Sequence, residues 1–224
     1  MSGIVGSYFN TRGSGVVAKL GTDGQIFTST GAGLSQGFEA AAGGGAWNLI
    51  STFTSDGSDA TAEFTSGIDS TYKVYVFELI NIHPETDNVS FGINFSEDGG
   101  SNYNVKKQTA AWSWYHQEDG SGEAGGYNLS VAQNTGAYAG LDGELGNDND
   151  QSFSGQVILY NPSDTTYNHH WTCYHVCCRY HENVSLGGEG GYTNSDSKAA
   201  IDAVAFEFSS GEIQGGVIKM YGVT

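Results

Sequence analysis

The chain has few prolines and few basic residues, and each shortage excludes a class of protein. Two prolines among 224 residues exclude polyproline spacers and collagen-like repeats. Eight lysines and arginines stand against 25 aspartates and glutamates, which gives a formal net charge of −17. A field of this sign repels nucleic-acid phosphates and anionic lipid headgroups. The sequence therefore predicts no nucleic-acid partner and no docking on a membrane surface.

Long apolar runs, a secretory signal and paired cysteines are also missing. The most apolar stretch, 74–82, is interrupted by Glu78 and Asn81 and is too short to span a bilayer. The N-terminal residues MSGIVGSYFNTRGSG show no basic start followed by an apolar segment. Three cysteines, an odd number, predict free thiols in a reducing compartment. We therefore expect synthesis in a cytoplasm, without membrane insertion.

Apolar and polar residues alternate along most of the chain, and this period of two is typical of β-strands. Turn-forming glycine, asparagine, aspartate and serine fill the gaps between the alternating segments. Strands are predicted within residues 46–54, 71–82, 89–95, 156–160, 200–208 and 217–223. One short helix-like segment lies at residues 37–45 and runs into a glycine triplet. The pattern predicts an all-β fold, an antiparallel β-sandwich of the jelly-roll kind.

The N-terminal residues 1–45 differ in composition from residues 46–224. They are rich in glycine, serine and threonine, with one predicted hairpin at residues 16–30 that turns at Asp23-Gly24. A segment with so few large apolar side chains cannot bury a core of its own. We expect a Gly-rich arm, either flexible or packed on a neighbouring subunit, followed by the sandwich domain. Packing on a neighbour is the preferred interpretation, because Ile4, Val5, Tyr8 and Phe9 would otherwise be exposed.

The stretch HHWTCYHVCCRYH, residues 169–181, holds four of the six histidines and all three cysteines. As a strand it would place His169, Trp171, Cys173, His175, Cys177, Arg179 and His181 on one face. Three interpretations are open: a metal site, an activated thiol, or a structural strand with cysteines as small apolar fillers.

A structural strand without metal is the preferred interpretation of this stretch. Same-face neighbours on a strand lie about 6.5–7 Å apart, so Cys173, His175 and Cys177 alone converge poorly on one ion. A closed metal site would need ligands from another strand or another chain. No oxyanion hole or nucleophile elbow is recognisable, so no catalytic residues, no enzymatic activity and no cofactor are predicted.

Two further segments are candidate binding sites. Trp112 and Trp114 would share one strand face, and with Tyr115 they could stack on a sugar ring or contact another subunit. The acidic segment 141–150 could hold Ca²⁺ through Asp142, Glu144, Asp148 and Asp150. It lacks the spacing of a calcium loop, so solvated turns are the preferred interpretation.

Three segments together, VFELINIHPETDNVSF (76–91), SFSGQVILYNPSDTTYN (152–168) and FSSGEIQGGVIKMYGV (208–223), resemble small β-sandwich structural proteins of tailed bacteriophages, especially phages of marine bacteria. The resemblance covers residues 45–224. It implies a virion component, such as a tail fibre, tail-tip or head-surface protein, that is a homotrimer with other virion subunits as partners. It supplies no catalytic residues, and the Cys- and His-rich strand is not part of the pattern.

Two classes of function are therefore carried forward. The first is a structural component of a phage virion, made in the host cytoplasm, with a glycan of the host surface as an additional candidate partner. The second is a stand-alone carbohydrate-binding module in which loop aromatic residues such as Trp112, Trp114 and Tyr115 do the binding. Association with virus particles would favour the first, and glycan binding by an isolated monomer would favour the second.

Overall fold

A computed structural model describes residues 46–128, 134–193 and 198–224, and the backbone of residues 25–29 and 36–40. The chain divides into two compact units, Met1–Ala46 and Trp47–Thr224. All regular structure in the described residues is β-strand, and no helix long and apolar enough to cross a membrane occurs among them.

The N-terminal unit contains one described strand pair. Strand β1 (Gln25–Ser29) runs antiparallel to β2 (Gln36–Ala40). The helix-like expectation for residues 37–45 is wrong for its first four residues, which are extended in β2 because they bond to β1. The first half of the predicted hairpin lies outside the described residues.

The described residues of the second unit form thirteen strands, and those predicted from alternation are present. The strands are β3 (Trp47–Thr54), β4 (Thr61–Phe64), β5 (Val74–Pro84), β6 (Val89–Ser96), β7 (Lys107–Gln117), β8 (Glu123–Tyr127), β9 (Asn134–Thr135), β10 (Ala139–Leu145), β11 (Phe153–Tyr160), β12 (His170–Cys178), β13 (Asn183–Thr193), β14 (Ala203–Phe208) and β15 (Ile213–Val223).

These strands form two antiparallel sheets with jelly-roll connectivity. The small sheet has the order β10-β6-β14-β4. The large, nine-stranded sheet has the order β3-β15-β5-β11-β12-β13-β7-β8, with β9 paired to β7. Eight of these strands follow the double Greek-key path of a jelly roll. They are β3, β15, β5 and β11 of the large sheet and β10, β6, β14 and β4 of the small sheet. The predicted antiparallel β-sandwich is therefore confirmed.

Two insertions widen the large sheet beyond this eight-stranded frame. The segment between β6 and β10 supplies β7, β8 and β9, and the segment between β11 and β14 supplies β12 and β13. Both insertions add to the same edge, because β12 pairs with β11 and β13 joins β12 to β7. The Cys- and His-rich stretch and the tryptophan pair thus lie in one extension of the sheet.

The core between the sheets is built from aromatic rings. Phe206 of β14 contacts Phe77 of β5 across the sandwich, with ring centroids 5.6 Å apart. Phe64 and Phe91 pack against the same ring, at 6.3 and 5.9 Å. Since these four side chains are buried and come from both sheets, they join the two layers.

Strand β6 is more deeply buried than its alternation predicts. Asn94, which alternates with the large apolar residues of the strand, is fully buried, and its amide donates to the carbonyl oxygens of Tyr103 and Gly136. Its Oδ1 accepts a 2.6 Å hydrogen bond from Nζ of Lys107, which is also fully buried. This lysine donates further to the carbonyl oxygens of Val105 and Ala137. None of its three acceptors carries a charge, and burial lowers the pKa of Lys107 to about 7.

Stability should rise with pH because of this lysine. Between pH about 7 and its ordinary value of 10.5, the unfolded chain binds one more proton at Lys107 than the folded chain. The folded state therefore gains up to about 1.4 kcal/mol per pH unit across that window from this group, and loses the gain as pH falls through 7. Urea unfolding of wild-type protein and Lys107→Met, measured from pH 7 to 10, should show this slope only in the wild type.

The neighbouring exposed Lys106 is the matched control for this prediction. Lys106→Met should keep the wild-type pH dependence, since its side chain stays in solvent in both states. Equal slopes in the wild type and Lys107→Met would contradict the assignment of the pH dependence to Lys107.

Candidate functional site

The large sheet has two different faces. Its inner face packs on the small sheet, as the contact between Phe77 and Phe206 shows. Its outer face carries most of the exposed large apolar side chains of the described residues. Eleven such side chains are exposed, and the strand registers place ten of them on this outer face, Tyr167 being the exception. The ten are Trp47, Leu49, Trp112, Trp114, Tyr127, Tyr160, Tyr174, Val176, Val184 and Leu186.

The same outer face carries few charges for so acidic a chain. Among the strand residues that point outward, the formal charges are Glu78, Lys219 and Glu123. Glu78 and Lys219 lie opposite each other on β5 and β15, so their charges offset one another. We call this surface, the outward side of the large sheet, the aromatic face. A concentration of exposed apolar side chains on one side of a sheet is typical of an interaction site.

The predicted binding residues separate onto two faces. Trp112 and Trp114 project from the aromatic face, the second with 58% of its surface exposed. Tyr115 points to the opposite side, where its ring lies 5.9 Å from the guanidinium carbon of Arg179. Tyr115 is therefore not part of a surface shared with the tryptophans, because adjacent strand residues face opposite ways. The tryptophans are joined instead by Leu186 and Tyr127, which pair with them in register.

Strand β12 shows the alternation predicted for residues 169–181. His169, Trp171, Cys173, His175, Cys177 and Arg179 are buried toward the inner face, while Tyr174 and Val176 are exposed. The predicted face ends before His181, which lies beyond the end of the strand and is exposed. His175 lies in the buried middle of the strand.

His175 is the centre of a buried polar cluster. Its Nε2 lies 3.3 Å from Oδ2 of Asp142 on β10, and its ring stacks on Phe153 at 4.8 Å. A Cβ added at Gly187 of β13 would lie 2.6 Å from Nε2, so the ring occupies its place because residue 187 has no side chain. Nδ1 of His175 is buried and has no hydrogen-bond partner.

Asp142 is ionised and fully satisfied. Arg179 Nη2 donates to its Oδ2 at 3.0 Å, and the Ser185 hydroxyl lies 3.4 Å from the same oxygen. Burial alone would raise the pKa of Asp142, but the hydrogen bond from His175 and the charge of Arg179 hold it well below its usual range. Asp142 therefore has its counter-charge within the protein.

Glu189 presents the opposite case. It lies on β13 directly opposite Cys173, and 5% of its surface is exposed. Neither carboxylate oxygen has a hydrogen bond of ordinary geometry, and the adjacent Cys173 thiol is a weak donor. Burial raises the pKa of Glu189 well above its ordinary value. A buried carboxyl group with no cation and only a weak thiol donor beside it is costly to ionise.

Two overlapping groups of metal-ligating side chains share His175. Ligand atoms of Cys173, His175 and Glu189 lie within 4.8 Å of one another, and so do those of Asp142, His175 and Cys177. The sequence expectation that β12 alone cannot form a site agrees with this arrangement, since the completing carboxylates come from β13 and β10. Sequence reasoning missed Glu189 because a single acidic residue within the glycine-rich segment GGEGG carries no motif.

The thiols are poorly suited to act as nucleophiles. Burial raises the pKa of Cys173 and of Cys177 well above the ordinary value for a thiol. Cys173 is fully buried, so a substrate carbon could not approach its sulfur without movement of the strands. The three cysteines are free, as the odd count predicted.

The acidic segment 141–150 does not gather its carboxylates around one point. Asp142 and Glu144 both bind Arg179, through Nη2 and Nη1 respectively, each at 3.0 Å. Asp148 and Asp150 are exposed beyond the end of β10. The first half of the segment is thus a strand bound to β6 rather than a solvated loop.

Comparisons with protein-family models, with curated proteins and with solved structures gave no match for this chain. The jelly-roll assignment accordingly rests on the order of the strands.

Proposed function

We propose that this protein is a structural subunit of a tailed-phage virion that assembles as a homotrimer through its aromatic face. The single observation that carries the assembly role is the concentration of exposed large apolar side chains on one side of one sheet. The virion setting is supported by the resemblance of three segments to phage β-sandwich proteins. The jelly roll is a frequent fold of capsid proteins.

The extent of the aromatic face suits a stable interface. Large side chains have about 150–250 Å² of surface each, so ten of them at roughly half exposure present on the order of 800 Å². That area is about what one partner contributes to an interface of standard size. Tryptophan and tyrosine, which make up six of the ten, are the residues that dominate binding energy at interfaces.

The charge distribution directs contact between two copies of this chain to the aromatic face. Two copies with a formal charge of −17 repel each other over most of their surfaces. The aromatic face is where they can approach without opposing rows of carboxylates, since Glu78 is offset by Lys219. Cyclic symmetry repeats each contact three times, which raises the stability of the ring without new chemistry.

Size-exclusion chromatography with light scattering tests the assembly. At micromolar concentration we expect a mass of three times the 23.6 kDa of one chain. Leu186→Glu, which places a carboxylate in the centre of the aromatic face, should yield monomers because the charge would be buried without a partner. A wild-type monomer would contradict the proposal.

Tyr167 offers the matched control, because among the described residues it is the exposed large apolar residue that lies off the aromatic face. Tyr167→Glu adds the same charge and should leave the trimer intact. Dissociation by both substitutions would show that net charge, and not the aromatic face, governs assembly. The virion setting is tested separately, by mass spectrometry of purified phage particles, in which peptides of this protein should occur at fixed stoichiometry.

A carbohydrate-binding module is the second candidate, favoured by the groove beside Trp114. The groove is lined by Trp114, His116, Val184 and Leu186 and by Glu123 at its rim. The flat side of an exposed tryptophan ring can stack on a sugar ring. If the protein is a carbohydrate-binding module, the wild type should be a monomer that binds glycans on an array, and Trp114→Ala should abolish that binding. If it is a virion subunit, Trp114→Ala should weaken the trimer.

A further inference from the structure

The buried cluster on the inner face contains a carboxyl group, an imidazole nitrogen and a thiol without adequate partners. We propose that Cys173, His175 and Glu189 bind a zinc ion. This inference is independent of the aromatic face, which lies on the other side of the sheet. Ligand atoms of the three residues lie within 4.8 Å of one another, and all three residues are buried.

Glu189 is the observation that points to a cation. Neither of its two buried oxygens has a hydrogen bond of ordinary geometry, although a buried polar group is ordinarily paired. The other carboxylate of the cluster, Asp142, already has Arg179 at 3.0 Å as its counter-charge. Charge therefore favours the group that contains Glu189 over the group of Asp142, His175 and Cys177.

Asp142 has a second function in this arrangement, as the residue that orients the imidazole. The hydrogen bond between Nε2 of His175 and Oδ2 of Asp142 assigns the ring proton to Nε2. The lone pair is then on Nδ1, the nitrogen that has no partner in the protein. A carboxylate behind a histidine ligand is a recurrent feature of zinc sites, where it fixes the tautomer and the ring orientation.

The donor set selects the metal. A thiolate, an imidazole and a carboxylate are together the ligands of Zn²⁺, whereas Ca²⁺ and Mg²⁺ take oxygen ligands. Donors at 2.0–2.3 Å from a tetrahedral ion are separated by about 3.3–3.8 Å, so side-chain rotations of modest size suffice. A water molecule would complete the tetrahedron.

Binding also balances the buried charge. The ion displaces one proton from the Cys173 thiol and one from the Glu189 carboxyl group, and both protons pass to solvent. The resulting thiolate and carboxylate neutralise the two charges of Zn²⁺. The cluster then contains no uncompensated charge, because Asp142 and Arg179 remain paired.

Metal analysis of the full chain tests the site. Protein purified without chelator should hold about one zinc per chain, and treatment with EDTA should lower its melting temperature. With Co²⁺ as the probe, the wild type should show a thiolate-to-metal charge-transfer band in the near ultraviolet. Glu189→Gln and Cys173→Ala should each bind Co²⁺ at least about 100-fold more weakly, with circular dichroism confirming that they fold.

Cys177→Ala is the matched control, since Cys177 is a buried thiol on the same strand face but belongs to the other group. It should keep the band. Loss of the band in Cys177→Ala with retention in Cys173→Ala would overturn the proposal. So would a wild type that binds neither Zn²⁺ nor Co²⁺ and melts at the same temperature with and without EDTA.

Discussion

Arg179→Ala should lower the free energy of unfolding by about 3–5 kcal/mol. Arg179 forms 3.0 Å ion pairs with Asp142 and Glu144. Asp142 is 1% exposed, so removing the guanidinium leaves a carboxylate buried without its cation. The free-energy cost of this unpaired buried carboxylate exceeds the free energy that an exposed ion pair contributes to stability. Urea unfolding followed by tryptophan fluorescence measures the loss, since the buried Trp171 is one of the four tryptophans of the chain.

Two further variants separate the buried half of this network from its exposed half. Glu144→Gln should cost less than about 1 kcal/mol, because the Glu144 side chain is half exposed and solvent screens its pair. Asp142→Asn combined with Arg179→Ala should recover part of the loss, since no uncompensated charge then remains. If Arg179→Ala and Glu144→Gln cost the same, the burial of Asp142 is not the source of the effect.

Phe206→Ala should also cost about 3–5 kcal/mol, for a different reason. Phe206 is fully buried and contacts aromatic rings from both sheets, including Phe77 at 5.6 Å. Truncation removes these contacts and leaves a cavity that close-packed neighbours cannot fill. Thermal and urea unfolding should show a lower midpoint with an unchanged dependence on denaturant.

Tyr167→Ala provides the surface reference for this substitution, because its ring is 71% exposed. It should change stability by no more than about 0.5 kcal/mol. The loss of stability from Phe206→Leu should lie between those of Phe206→Ala and Tyr167→Ala, since leucine keeps much of the buried volume. A cost of less than about 1 kcal/mol for Phe206→Ala would mean that the two sheets are held together elsewhere.

The strands of the frame could be predicted because burial of one face imposes a period of two on the sequence. Val89, Phe91, Ile93 and Phe95 alternate for this reason, and β6 occurs where they do. The period fails where glycine replaces the large residues. Strand β13, with GGEGG at its centre, has no apolar alternation there to mark it, and its length was not predicted.

The candidate sites could be predicted less well, because they depend on which strands become neighbours. Alternation placed Cys173, His175 and Cys177 on one face, but the order β12-β13-β7 is what sets Glu189 opposite Cys173. Asp142 reaches His175 only because the small sheet lies over this part of the large one. The aromatic face likewise appears when Trp114, Leu186 and Val176 line up across three strands.

The position of β15 determines when the sandwich can be completed during synthesis. Strand β3 pairs with no described strand but β15, and β15 also pairs with β5. As the ribosome extends the chain, β3 therefore emerges early and stays unpaired until residues 213–223 follow. One edge of β5 stays unpaired for the same time. Closing so long a segment is slow, and open strand edges invite aggregation in the meantime. A nonsense or frameshift mutation ahead of residue 213 would leave β3 and this edge of β5 unpaired permanently. Truncated products should therefore be degraded by proteases or precipitate, and should not enter an assembly as partial subunits.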